Sequence, residues 1–328
     1  MFSRSYHVAT AYRFVALASS VLLGACALRG ADRPIVSAIP ERTSASSVRE
    51  GYLVDTPEFA LVTSSAPVKT IALESLHGSA SAFQWLFGDP APHIGVLVVD
   101  GRTMSAPAAS GMMPGDLTTI MLMTGEPDPL APTKSAAELS SALRTMSADA
   151  WLHDYASLWT ASLNDDDASH GVQPVENPAR AEALPHWLRA GSLRLIAEGS
   201  ASSAIDMSLR TPMPLRSLFS YDLRPAEIGV VGRMLHHPDW LAVADSADST
   251  DETIARSFII QSASVLRYLR ETQGDSATAD LFGASMLGIP ADEILPQLPR
   301  PTSIAELERG WLSWVSEGGR VATATVTR

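Results

Sequence analysis

In the stretch VKTIALESLHGSASAFQWLFGDPAPHIGVLVV, residues 68–99, the spacing of the apolar residues changes once, and that change decides the fold class. Up to Phe87 the apolar residues Ile71, Leu73, Leu76, Phe83 and Leu86 recur at helical intervals. Gly88-Asp89-Pro90 stops the helix, because proline cannot continue it. Ile94 to Val99, IGVLVV, is then a continuous apolar run of strand length, the pattern of an interior strand buried on both faces.

The same reading extends in both directions. Upstream, Gly51 to Ser64, GYLVDTPEFALVTS, alternates and is rich in β-formers, which predicts one or two strands. Downstream, a Gly/Ala/Ser/Pro-rich loop leads to a second apolar strand at Leu117 to Met123, and GEPDPLAPT follows as a linker. From Ser135 the pattern turns helical. Leu139, Leu143, Met146, Trp151, Leu152, Tyr155, Leu158 and Trp159 predict one long helix to Leu163, or two joined near Ser147. Further helices are expected over Pro185–Ile196, Thr253–Thr272, Ser276–Leu287, Ala291–Leu298 and Ser303–Val315. The expectation is an α+β fold: a small mixed α/β part at 50–134, a mainly helical part at 135–316, and a C-terminal tail at 317–328.

The N-terminus obeys different rules. MFSRSYHVATAYR carries Arg4 and Arg13 and no acid, and the apolar run FVALASSVLLGA from Phe14 to Ala25 follows. That run is too short to span a bilayer, which takes about 20 apolar residues. A basic start, a short apolar core and small residues at its end are the layout of a secretory signal. Leu23-Gly24-Ala25-Cys26 resembles the lipobox of bacterial lipoproteins, and Cys26 is the only cysteine in the chain. The resemblance implies a signal peptide over 1–25, acyl chains on Cys26 and attachment to a membrane. Ala27 stands where an Asp would resemble an inner-membrane retention signal, so the implied location is the outer membrane, facing the periplasm. Residues 26–49, the lipidated cysteine and a small, polar, proline-containing run, are expected to form a flexible tether.

Charge narrows the partners. Removing Arg4 and Arg13 from 24 basic residues leaves 22 against 36 acidic ones, a formal charge of −14. A surface of that sign repels nucleic acid phosphates and offers no polybasic membrane patch. The expected partners are the membrane, through the lipid, and a peptide or envelope protein.

Five stretches in order carry a second resemblance, to the gluzincin (peptidase MA-like) superfamily of HExxH zinc metallopeptidases. TPEFALVTS resembles the strand that opens such domains, and Phe83 to Val99 the helix end, turn and second strand after it. Trp151-Leu152-His153-Asp154-Tyr155-Ala156-Ser157 sits where the zinc helix belongs. Leu184-Pro185-His186-Trp187-Leu188-Arg189-Ala190-Gly191 resembles the L-P-x-W-L-x-E-G segment that supplies the third ligand. SFIIQSASVLRYL and SIAELERGWLSWV resemble the buried C-terminal helices.

In HExxH the residues at i and i+4 share a helix face, so two imidazoles converge on one Zn²⁺ while the Glu reaches the metal-bound water. Here His153 keeps the first ligand, Asp154 replaces the base with a shorter acid, Ser157 replaces the second imidazole and Ala190 replaces the third ligand. One ligand of three remains, which implies a pseudopeptidase with no catalytic residue, no metal and no cofactor. Trp187 and His186 are the candidate residues of the remaining cleft, with His186 expected on a different face from Ala190. His153 is expected to be a hydrogen-bonded, half-buried histidine.

Other motifs carry less. Asn164 to Asp167 lacks the Gly and Glu of a calcium loop and is read as a solvated acidic turn. His236-His237-Pro238-Asp239 is expected to be a loop. Gly283-Ala284-Ser285-Met286-Leu287 fails the nucleophile elbow at its last position. The leading functional expectation is a lipid-anchored envelope protein whose inactive zinc-peptidase-like domain binds polypeptide. Two alternatives stand beside it. One is an active hydrolase with a rearranged site, in which either His153 with Asp154 or a histidine cluster including His170 and His186 carries the chemistry; the other is a structural lipoprotein whose cleft is filled.

Overall fold

The computed structural model describes residues 33–35, 51–63, 65–100, 117–125, 135–169, 184–198, 212–236 and 250–318. The fold is α+β. Five strands, β1 (Arg33–Ile35), β2 (Gly51–Asp55), β3 (Phe59–Thr63), β4 (Ile94–Asp100) and β5 (Thr119–Gly125), form one sheet in that order. β1, β2 and β3 pair antiparallel, whereas β3, β4 and β5 run parallel. Parallel neighbours need a crossover, and β3 reaches β4 through α1 (Ala66–Phe87).

Alternation along the strands separates the two faces of the sheet. Phe59, Leu61, Ile94, Val96 and Val98 enter the main core, while Val62, Leu97 and Val99 form a small cluster on the other face. Both faces of β4 are therefore buried, as its unbroken apolar run requires. α1 starts after an extended Ser65, with proline in its first turn. It ends at Gly88, whose left-handed backbone (φ 78°) lets its N–H reach Gln84 O at 2.8 Å.

The helical part follows as α2 (Ala136–Ser169), α3 (His186–Glu198), α4 (Leu215–Phe219), α5 (Pro225–His236), α6 (Thr250–Gln273), α7 (Asp275–Met286), α8 (Ala291–Ile294) with a 3₁₀ turn at Leu295–Gln297, and α9 (Ile304–Ser316). α2 is one helix, uninterrupted at Ser147, and it contains Asn164 to Asp167, which were expected as a turn. The helices α4 and α5 were not anticipated, and His236 closes α5 instead of opening a loop. No described helix is long and apolar enough to cross a membrane. Cys26 and the signal segment lie outside the described residues, as do His170, His237 and residues 126–133 of the linker, whose first residue, Gly125, ends β5.

One core runs through both parts, from Val54 on β2 to Trp314 on α9. At its centre Tyr155 meets Phe83 at 5.3 Å, Phe87 at 5.0 Å and Phe282 at 5.2 Å between ring centroids, and its hydroxyl donates to Asp89 Oδ2 at 2.7 Å. Burying each such ring is worth about 1.5–3 kcal/mol, so this cluster ties α1, α2 and α7 together. Buried Trp311 keeps its polar edge satisfied, donating from Nε1 to Ser264 Oγ at 2.7 Å.

Candidate functional site

α2 shows which face of the HDYAS segment is structural. Trp151, Leu152, Tyr155 and Ala156 are buried, and this leaves His153 and Ser157 on the solvent side. His153 is exposed, where a half-buried position was expected. Ser157 Oγ donates to His153 O at 3.0 Å, a bond back to the preceding turn. Asp154 accepts from Thr118 Oγ1 at 2.8 Å and so fixes the helix to the entry of β5.

α3 packs against the earlier part of α2, running the opposite way. Near its end Glu198 O accepts from Arg144 Nη1 at 3.0 Å; near its start Arg189 Nη2 donates to Asp149 Oδ1 at 2.8 Å. The stripe Thr145, Asp149, His153, Ser157 on α2 therefore begins under α3 and runs out from beneath it. Thr145 is buried and Asp149 half exposed, and the last two residues are open to solvent. α3 itself starts on Pro185, whose carbonyl accepts from the N–H groups of Leu188 and Arg189.

Ala190 faces a cavity of about 130 Å³. Thr145 and Asp149 from α2 line it, together with His186, Arg189, Ala190 and Leu193 from α3. Leu223, Ile228, Val231 and Gly232 close the opposite wall. The residues brought to Ala190 are thus Thr145 and Asp149, while His153, Asp154 and Ser157 are absent from that lining.

Two expectations about α3 change. His186 and Ala190 are four residues apart, so they share a face, and both line the cavity. His186 Nε2 also lies 3.4 Å from Asp222 Oδ1. Trp187 points the other way, buried against Phe219 with ring centroids 4.6 Å apart, and is a core residue with no part in the cavity wall.

These residues do not fit the zinc ion that the gluzincin resemblance implies. A catalytic zinc site takes three protein ligands, each about 2.0–2.2 Å from the metal when they are His or carboxylate. Among the described residues no three His, Cys, Asp or Glu side chains gather closely enough to hold a metal. The two side chains of the HDYAS segment with zinc-ligating chemistry are separated in role, His153 facing water and Asp154 held by Thr118. What the arrangement offers is a small cavity with an ion pair and a histidine on one side and aliphatic groups on the other.

Asp149 and Arg189 escaped the sequence reading because the pair is forty residues apart and each looks like an ordinary surface charge. Glu227 escaped too, although Pro225 followed by Glu227 is the signature of a helix start. Its buried carboxylate accepts from the Arg224 backbone N–H at 2.9 Å, from Arg224 Nε at 2.8 Å and from the Tyr221 hydroxyl at 3.2 Å. The Arg224 side chain is the main cause that holds this carboxyl below the ordinary carboxylate range, against the opposing effect of burial. The chain matches no family model, and no curated protein or solved structure is significantly similar to it.

Proposed function

We propose that this chain is a lipoprotein, anchored through Cys26 in the outer membrane and facing the periplasm, whose domain is a degenerate gluzincin relative that binds extended polypeptide without cleaving it. The observation that carries the binding mode is the position of β5. It is the last strand of the sheet, and its outer edge pairs with no described strand. Such an edge presents a row of unpaired N–H and C=O groups on which an extended chain can add as a further strand.

The register says which groups those are. Gly95 N–H donates to Thr118 O at 2.8 Å, and successive residues of a strand turn their backbone groups to opposite sides. Thr118, Ile120 and Leu122 therefore pair with β4, and Thr119 and Met121 offer their groups to the open edge. Met121 is 38% exposed, as an unoccupied edge allows. Asp154, fixed to Thr118, sets the start of β5 against α2. The absence of hydrolysis follows from the dispersal of His153, Ser157 and Ala190.

The test is Met121→Pro, which removes one outward N–H and leaves the β4 ladder intact, a substitution edge strands tolerate. Full-length protein in detergent is titrated against a set of fluorescent unstructured peptides. The expected result is saturable binding that Met121→Pro weakens more than about tenfold with an unchanged melting temperature, and no peptide cleavage. Equal binding by the variant, or cleavage by the native chain, overturns the reading. For the anchor, Cys26→Ser is expected to abolish labelling with a fatty-acid analogue and to move the protein out of the membrane fraction.

A further inference from the structure

We propose that the outer edge of β5 takes up residues 320–328 of a second copy of this chain, an inference that rests on the open edge proposed above and names its occupant. The segment reads RVATATVTR and lies outside the described residues. Val321, Thr323, Thr325 and Thr327 alternate with Ala322, Ala324 and Val326, the period of a strand with β-branched residues on one face and small apolar residues on the other. Paired with β5, the apolar set stands on the side of Ile120 and Leu122, which turn to the main core, and the threonine set on the side of Thr119 and Met121.

Charge favours the same match. The segment carries Arg320 and Arg328 and no acid, in a chain of formal charge −12. The sequence around β5 is the converse. No Lys or Arg occurs from 103 to 133, and Asp154 is fixed at the start of the strand through Thr118.

The order of the helices decides whose segment it is. Asp154 joins α2 to Thr118 beside β5, and Asp149 joins α2 to Arg189 on α3. Gly191 on α3 lies against Ser262 on α6, and Ser264 on α6 accepts from Trp311 on α9. Residues two apart on a helix point about 200° from each other, and residues five apart about 140°. Each of α2, α3 and α6 therefore meets its two neighbours on opposite sides, so β5, α2, α3, α6 and α9 stand in a row. At about 8–10 Å per helix pair, α9 is roughly 25–30 Å from α2, with the sheet on the far side of α2. Val321 follows Gly318, the last described residue, by three positions, about 10 Å of extended chain. It falls short of its own β5, and the edge within its reach belongs to a neighbouring copy.

The experiment measures the protein mass of full-length chains in detergent by light scattering, over a range of concentrations. The native mass is expected to rise above that of one chain as concentration increases. Ala324→Pro combined with Thr325→Pro, and separately Met121→Pro, are expected to hold it at one chain with an unchanged melting temperature. Neighbouring residues turn their N–H groups to opposite sides, so one of the two prolines removes an edge bond in either register. A fluorescent peptide of residues 320–328 is expected to bind a chain ending at Gly318, which retains the whole described core. Met121→Pro in that chain, or Arg320→Glu with Arg328→Glu in the peptide, is expected to weaken binding at least tenfold. A native protein that stays at one chain, self-association that survives the two prolines, equal binding by either weakened pair, or no peptide binding at about 1 mM overturns the proposal. If Met121→Pro still weakens the unrelated peptides of the preceding test, the open edge stands without this occupant; if it does not, both readings fall.

Discussion

Gln261 holds the backbone of Met213 at both ends, its Oε1 accepting from Met213 N–H at 2.9 Å and its Nε2 donating to Met213 O at 2.5 Å. The amide thus does for one residue of an extended segment what a neighbouring strand does in a sheet, from a buried position on α6. Gln261→Leu keeps the volume and removes both bonds. A polar group stranded by such a change costs about 1–3 kcal/mol, so urea denaturation is expected to show a loss of about 2–4 kcal/mol. Gln261→Glu, which retains the acceptor for the N–H and loses the donor, is expected to be destabilised as well. A loss below about 0.5 kcal/mol in Gln261→Leu would show that the clamp is incidental.

Two glycines on neighbouring helices are expected to respond with opposite signs. At Gly191 a Cβ would lie 2.7 Å from Leu266 Cδ1 and 2.8 Å from the Ser262 carbonyl, so α3 and α6 touch there backbone to backbone. Gly191→Ala gains about 1 kcal/mol of helix propensity and must push the helices apart, an overpacking cost of about 1–3 kcal/mol or more. The net expectation is destabilisation. Gly232→Ala meets open space and is expected to raise stability by up to about 1 kcal/mol. Thermal melts of the two variants side by side decide it.

The contrast between these glycines shows where the sequence was legible. The β3–α1–β4 unit was readable because each element has one apolar period, and burial on both faces of β4 needs no knowledge of its partners. α2 was readable as far as Leu163, but its continuation through Asn164–Asp167 was not, since polar residues carry no apolar period to follow. The five-residue α4 is too short to show periodicity, and it begins where Leu215 N–H finds Glu308 Oε1 at 3.1 Å, a partner ninety-three residues away. The candidate site was the least legible part. Its position depends on where α3 starts along α2, a register set by Asp149 with Arg189 and Arg144 with Glu198. Shared helix faces within α3 were available from sequence: the four-residue spacing of His186 and Ala190 sufficed.

Glu227 makes stability depend on pH. Its folded carboxyl titrates lower than in the unfolded chain, where a glutamate has a pKa of about 4.3, with Arg224 the main cause. A depressed carboxylate stabilises the fold fully above the unfolded value and loses that contribution as pH falls through the folded one. Glu227→Gln is therefore expected to melt below the native protein at pH 7. The gap should narrow as pH drops from about 5 towards 3. A gap that stays constant across that range would assign the loss to packing and not to the charge.

Metal content separates the inactive reading from the active one. If zinc chemistry survived, His153 would have to supply an imidazole, and its position on the exposed side of α2 leaves it beyond the start of α3 and outside the cavity that Ala190 lines. Ser157 bonds back to its own helix and offers only a neutral hydroxyl. Full-length protein equilibrated with trace zinc is therefore expected to retain less than about a tenth of an equivalent, since one imidazole falls short of the three ligands a catalytic site needs. His153→Ala is expected to leave that value and the melting temperature unchanged. About one equivalent of zinc, lost in His153→Ala, would mean that residues outside the described segments, His170 or His237 among them, complete a site with His153, and chelator-sensitive peptide cleavage by that protein would make the chain an enzyme.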